Sequence, residues 1–298
     1  MKTILPVFIC LFLFLSACGP ADLERSRVPL IWGMRFDSPE SEREVNANLA
    51  LMRDLKMREL MLELPLLCDS AGLPFVPDLP IGSMKGLLLS YRVGLHLTFT
   101  PTNSKSLFPS DSLTVQPEAW FERLEKEINQ VMEVFSPCPI DRVVVGSNLQ
   151  PVEAFTSMWQ STFDSLRKGR ETLFSYGGSL DRLADFDNLR VSDEFALDYR
   201  PISGEDMKAE SRDYHEEIQY ITDSLHMPLF VFRANIIGED PLMQFKNRLR
   251  FWRPQTRHRG MAINTLYAPI PPRDAKTYYG LADNPEFMEF VHEYLTRD

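Results

Sequence analysis

From residue 28 onward, short apolar runs with the two-residue period of a strand alternate with stretches whose apolar positions recur every three or four residues, as on a helix. The strand-like runs fall at 27–36, 58–64, 93–100, 142–147, 172–176, 194–199, 228–233 and 260–267. The helical pattern is read over 38–56, 81–91, 117–135, 152–168, 179–187, 205–225, 241–252 and 284–295. Strict alternation demands parallel strands joined by helical crossovers, and eight such units in a chain of this length predict a closed barrel rather than an open sheet. The expectation is an α/β protein, a single (β/α)8 TIM barrel over residues 28–298. No repeat or interdomain linker divides it, and the polar stretch 104–117 reads as a loop over the barrel mouth. No Gly-rich phosphate loop follows the first strand, so neither a dinucleotide-binding fold nor any cofactor is expected.

The N-terminus has a different layout. Lys2 precedes an apolar run from Ile4 to Leu15, and Ser16-Ala17-Cys18 follows, which gives the charged, hydrophobic and small-residue regions of an export signal in order. The apolar run falls short of the roughly 20 residues that a helix needs to span a bilayer. Leu15-Ser16-Ala17-Cys18 resembles the lipobox of bacterial lipoproteins, and that resemblance implies cleavage before Cys18 and lipidation (palmitate among the acyl chains) of its thiol. Residues 1–17 are then a signal peptide, 18–27 a lipidated tether, and the protein is held to a membrane in the cell envelope through lipid alone. An ordinary secretory peptide cut after Ala17 is the other reading of the same residues.

With 32 basic and 42 acidic residues, the chain carries a formal charge of −10, which repels phosphate backbones and argues against nucleic acid as a partner. Cys10 leaves with the signal, so Cys68 and Cys138 are the thiols of the folded domain. Two thiols in an oxidising compartment leave a disulfide open. One follows a strand and the other precedes one, which places them at opposite ends of a barrel and favours buried free thiols.

In such a barrel the site lies where the strands end, at their C-terminal face. The candidates there are Trp32 and Arg35, Glu63, His96 and Asn103, Asn148 and Gln150, Tyr176, Asp198 with Tyr199 and Arg200, Arg233 and Asn235, and Asn264 with Tyr267. Amides, aromatic rings and guanidinium groups suit a hydroxyl-bearing ligand, because rings stack on sugar faces and amides both donate and accept hydrogen bonds. The histidines lack the short spacings of a metal site, and His96 is expected as a hydrogen-bonded residue inside the mouth. Tyr214-His215-Glu216-Glu217 falls in a helix on the exterior, and Glu153 is read as a cap or salt-bridge partner.

The chain resembles glycoside hydrolase family 113, barrel enzymes of mannanase type, through Trp32-Gly33-Met34-Arg35, Val93-Gly94-Leu95-His96-Leu97, Val145-Gly146-Ser147-Asn148-Leu149, Met158-Trp159, Asp198-Tyr199-Arg200-Pro201 and Pro228-Leu229-Phe230-Val231. The resemblance implies a saccharide ligand, a glutamate acid after the fourth strand and a glutamate nucleophile at the end of the seventh. This chain departs at both positions. Asn148 stands where the acid belongs, Arg233 lies at or beside the nucleophile, and no Asp or Glu occurs between Arg142 and Gln150 or between Met227 and Gly238. The expectation is therefore a non-catalytic barrel, a pseudoenzyme, whose mouth binds a saccharide. Two alternatives stand beside it: a glycoside hydrolase using Glu63 and Asp198 as a rearranged pair, and a structural lipoprotein whose polar helices, such as 208–223, meet a protein partner. If the chain is not an enzyme, Glu63 and Asp198 are expected to pair with Arg35, Arg200 or Arg233, since buried charges are tolerated when paired.

Overall fold

A computed structural model describes residues 28–36, 41–78, 81–101, 108, 113–180, 190–199, 207–234, 242, 243, 245, 246, 249, 258–263 and 285–296. Eight strands lie parallel and close on themselves: β1 (Leu30–Arg35), β2 (Glu59–Cys68), β4 (Gly94–Pro101), β5 (Ile140–Ser147), β6 (Leu173–Gly178), β7 (Phe195–Tyr199), β8 (Leu229–Ala234) and β9 (His258–Ile263). Closure is made by β1, which pairs with β2 on one side and β9 on the other. This is the single (β/α)8 TIM barrel that the alternation predicts. A short β3 (Pro74–Phe75) runs antiparallel to the far end of β2, with Leu67 opposite Phe75.

The helices are α1 (Ser41–Asp54), α2 (Ile81–Tyr91), α3 (Pro117–Phe135), α4 (Gln150–Glu153), α5 (Thr156–Arg167), α6 (Met207–Leu225) and α7 (Pro285–Thr296). The helix expected over 152–168 is two, broken at Ala154-Phe155. Those expected over 179–187 and 241–252 fall largely outside the described residues, although Leu242, Met243, Phe245, Lys246 and Leu249 are helical. The last strand is described over His258–Ile263, and the rest of its expected span, to 267, lies with residues 264–284 outside the described set.

Side chains alternate across a strand, and the core divides accordingly. Outward residues such as Leu62, Leu97, Val145 and Leu197 join the helices in one large cluster. Inward residues Ile31, Met61, Val144, Ala196, Phe230, Phe232 and Ala262 form a separate plug in the lumen. On α3, buried Trp120, Leu124, Ile128, Val131 and Phe135 recur every three or four residues and face the sheet. Edge-on contacts from Trp159 to Phe121 and Tyr176, at 4.9 and 5.0 Å, join α3, α5 and β6.

Gly177 shows how tightly the plug is packed. A Cβ there falls 2.6 Å from the Phe232 ring and 3.1 Å from Val144 Cγ1, so only glycine lets that ring cross the lumen. Gly177→Ala should cost about 1–3 kcal/mol by overpacking. Gly86, within α2 and with nothing inside 4 Å of its Cβ position, is the contrast: Gly86→Ala should stabilise by about 0.5–1 kcal/mol. Urea unfolding of the two variants should move in opposite directions, and equal midpoints would contradict the packing.

Candidate functional site

Alternation aims Glu63, two residues beyond Met61, and Thr100 into the upper lumen, and does the same for Asp198, two beyond Ala196. Arg233 reaches them through an irregularity. Leu197 pairs with Val231, but Asp198 pairs with Arg233, so the register passes over Phe232. A bulge of this kind re-aims a side chain. Here it turns a cation inward directly after an inward phenylalanine.

The guanidinium of Arg233 lies between two carboxylates. Its Nη1 donates to Asp198 Oδ2 at 3.1 Å, and its Nε to Glu63 Oε2 at 3.4 Å. Its Nη2 donates to Glu63 Oε1 and approaches Thr100 Oγ1 at 3.4 Å. Thr100 Oγ1 in turn donates to Glu63 Oε1 at 2.8 Å. Asp198 is 0% exposed and Glu63 8%. Burial alone would push the Glu63 carboxyl up. The Arg233 charge and hydrogen bonds, the Thr100 hydroxyl and the Arg35 charge outweigh burial and hold it below the ordinary glutamate value. Burial would likewise depress the Arg233 guanidinium, but the charges of Glu63 and Asp198 prevail and raise it.

Asn148 follows β5 in the left-handed region, φ 55°, a conformation that asparagine tolerates better than most residues. Its backbone N–H donates to Gly177 O at 3.2 Å, and its amide oxygen accepts from the Ser179 N–H at 3.4 Å. It joins the ends of β5 and β6 at the mouth. Next to it, Leu149 N–H donates to Tyr176 Oη, and that hydroxyl donates to Glu153 Oε1, both at 2.6 Å. Glu153 is thus held by the Tyr176 hydroxyl.

A second ionic network occupies the opposite end of the lumen. Arg142 Nη2 donates to Glu194 Oε2 at 3.2 Å while its Nε engages Oε1, and its guanidinium lies 3.9 Å from the Phe230 ring centre. Nη1 of Arg142 stands 3.1 Å from His96 Nδ1, and His96 Nε2 is 3.1 Å from Glu59 Oε2. Arginine has donors only, so Nδ1 accepts and Nε2 carries the hydrogen that goes to Glu59. That bond from His96 outweighs burial and lowers the Glu59 carboxyl, whereas complete burial outweighs Arg142 and raises Glu194.

Position in the barrel sorts the expected residues. Glu63, Asp198 and Arg233 are brought into contact, and Arg35, exposed at the end of β1, is near enough to act on Glu63 by charge. Asn148 and exposed Gln150 stand at the same rim. Others are elsewhere. Trp32, 2% exposed, faces the helices and donates from Nε1 to Asn48 Oδ1 of α1 at 2.9 Å. Tyr176 and Tyr199 are likewise buried in the helix-facing cluster. His96, expected in the mouth, lies in the lower network because it is only the third residue of β4. Cys18, Asn103, Arg200, Asn235, Asn264 and Tyr267 lie outside the described residues.

Thr100 is the mouth residue the sequence reading missed, although its parity with His96 marks it as inward. Cys68 and Cys138 are free; Cys138 is buried but Cys68 only half-buried, and burial raises both thiols. Among the described residues no three or more His, Cys, Asp or Glu are grouped to hold a metal, and no helix is long and apolar enough to cross a membrane.

No protein-family profile and no curated protein sequence matches the chain. Solved structures do match in shape. A glycoside hydrolase family 113 β-mannanase from Alicyclobacillus acidocaldarius, in complex with ManMIm, superposes with a TM-score of 0.71 at 15% identity, over 92% of this chain and 98% of that one. A second β-1,4-mannanase of that family gives 0.68 at 13% identity, over 91% and 100% of the two chains. A β-glucuronidase from Bifidobacterium dentium gives 0.62 at 11% identity, over 90% of this chain and 46% of the other. The chain therefore has a glycoside-hydrolase-like barrel fold, with family 113 β-mannanases among its structural neighbours.

Removing Arg233 strands two buried carboxylates, and breaking such a pair costs about 3–5 kcal/mol. Arg233→Met should therefore unfold far more readily than Arg53→Met, whose partner Asp54 is 3.7 Å away and whose side chain is 67% exposed. The pH dependence has a definite sign. Because the folded Glu63 carboxyl is lowered, its ionisation stabilises the fold fully above the unfolded value of about 4.3. That stabilisation is lost as pH falls through the lower folded value. The gap between wild type and Arg233→Met in thermal unfolding should thus narrow below about pH 4; a gap that widens there would contradict the pairing.

Proposed function

We propose that this protein is a lipid-anchored, non-hydrolytic barrel of glycoside-hydrolase shape that binds a saccharide at its mouth. The observation that carries the reading is the Arg233 guanidinium bridging Glu63 and Asp198. Two-carboxylate hydrolysis needs a protonated acid at the leaving oxygen and an unobstructed carboxylate opposite it. Glu63 is instead held ionised beside a permanent cation. That cation opposes the positive charge of an oxocarbenium-like transition state. Asn148, at the end of β5, has no titratable proton to supply. The rearranged pair of Glu63 and Asp198 is thus engaged in structure, and the hydrolase alternative loses its two free groups.

Saccharide binding is supported by the polar rim of Arg35, Asn148 and Gln150 and by the shape shared with mannanases and glucuronidases. Cys18 supplies the anchor in this reading, in the cell envelope, on the strength of Leu15-Ser16-Ala17-Cys18. The test is made with the purified chain from residue 19, incubated with β-mannan and β-1,4-linked manno-oligosaccharides. No reducing ends should be released above the blank. Calorimetric titration of a panel of neutral oligosaccharides should give a binder that Arg35→Ala and Gln150→Ala weaken about 5-fold or more, roughly the loss of one hydrogen bond each. Turnover abolished by Glu63→Gln would replace this proposal with the hydrolase. A panel without a binder would leave the structural lipoprotein.

A further inference from the structure

The two ends of the barrel differ in charge. In the sequence, the segments joining β1 to α1, β2 to α2 and β7 to α6 contain Asp37, Glu40, Asp69, Asp78, Glu205 and Asp206, with Arg200 as their one cation. In a barrel of this kind, segments that follow the C-terminal ends of strands belong to the mouth side. The connections on the other side, from helix back to strand, present exposed Lys56, Arg58, Arg92, Lys168, Arg170 and, at the start of β9, Arg259. Exposed acids at that end are Glu171, Asp141 one residue into β5 and, in the last turns of α1, α3 and α6, Asp54, Glu133 and Asp223, while Arg190 ahead of β7 adds a further exposed cation. Half-buried Glu59 is engaged by His96. The sequence that leads into β9 is more basic still: Lys246, Arg248, Arg250, Arg253, Arg257 and Arg259 follow one another with no carboxylate between them.

Each helix end favours this arrangement on its own account, since helix dipoles attract anions at N-termini and cations at C-termini. With all helices parallel, the preferences sum to one axial polarity for the molecule. Two further observations fall on the basic end. Leu89 and Val134, 43% and 45% exposed, lie in the last turns of α2 and α3, which pack together. Val28, where residues 18–27 join the barrel, precedes β1, and β1 pairs with β9 at the end of the basic run. Fully extended, those residues reach about 35 Å, so an anchor at Cys18 keeps the basic end near the bilayer.

From this we infer that the base of the barrel is a docking surface for an anionic phospholipid bilayer, and that the mouth opens away from the membrane. The inference rests on the anchor reading for what brings the barrel to the bilayer. Cations close to an anionic surface are attracted within a Debye length of about 8 Å at physiological salt. The acidic mouth is repelled by the same field, so both ends favour one orientation. Exposed Leu89 and Val134 add apolar contact at the headgroup level.

The test uses the chain from residue 19 with an N-terminal hexahistidine tag, held on nickel-chelating vesicles that contain phosphatidylglycerol. In a Cys68→Ser background, a donor dye is placed at Leu89→Cys on the base or at Ala154→Cys on the mouth, both exposed positions, with an acceptor on the lipid headgroups. Energy transfer should be at least 2-fold higher from position 89 at low salt. The ratio should fall toward one in 0.5 M NaCl, on pure phosphatidylcholine, or when Arg58, Arg92, Lys168 and Arg170 are all changed to Gln. Equal transfer at low salt, or more from position 154, would overturn the orientation. Since the tag replaces the lipid, this result does not depend on Cys18. The anchor is judged separately by fractionating cells that express Cys18→Ala: a variant still sedimenting with membrane after a high-salt wash would remove the anchor and leave the docking result standing.

Discussion

A guanidinium at the end of the apolar run Leu229-Phe230-Val231-Phe232 is sustainable only if its charge and its donors are met. Arg233 is met on both edges, by Glu63 from β2 and Asp198 from β7. Those strands lie well apart around the barrel, so the cation cross-links the upper lumen. Without it, two carboxylates that are 8% and 0% exposed would lose the cation that bridges them. The register irregularity between β7 and β8, the position of Thr100 and the ionised state of Glu63 all take their meaning from that one group. So does the functional reading, because an acid catalyst cannot share its carboxyl with a permanent cation and still deliver a proton at neutral pH.

The lumen is built as an ionic layer above and another below an apolar plug. The lower layer, Glu59, His96, Arg142 and Glu194, lies at the strand N-termini, the end of such barrels associated with stability rather than chemistry. There Phe230 lies against the Arg142 guanidinium, so plug and network are continuous. The two glutamates respond differently although each faces an arginine. At Glu63 the Arg233 charge and hydrogen bonds, the Thr100 hydroxyl and the Arg35 charge together exceed desolvation, and it is lowered. At wholly buried Glu194 the charges of Arg142, His96 and Arg259 fall short of desolvation, and it is raised.

The barrel was legible in the sequence because strict strand and helix alternation admits few topologies, and the Arg233 pairing followed from the cost of an unpaired charge. What failed was facing. Trp32, Tyr176 and Tyr199 were placed at the mouth by their nearness to strand ends, but parity decides: Tyr199 is in step with Phe195 and Leu197, which face the helices. His96 failed on height, being near the start of its strand. Phe232 and Arg233, adjacent yet both directed to the lumen, break the parity rule outright, and a bulge leaves no clear mark in composition. The basic run ahead of β9 does not show in the chain's −10 total, since net charge averages over the whole sequence.

If the mouth carboxylates serve structure and not acid catalysis, Glu63 must ionise below the ordinary glutamate range. Carbon-13 NMR of glutamate-labelled protein, with the Glu63 resonance assigned by its disappearance in Glu63→Gln, would follow the carboxyl through a pH titration. The midpoint should lie below the ordinary glutamate value of about 4.3 and move upward when Arg233 is replaced by Met. A wild-type midpoint of about 6 to 7, where a general acid works, would contradict it.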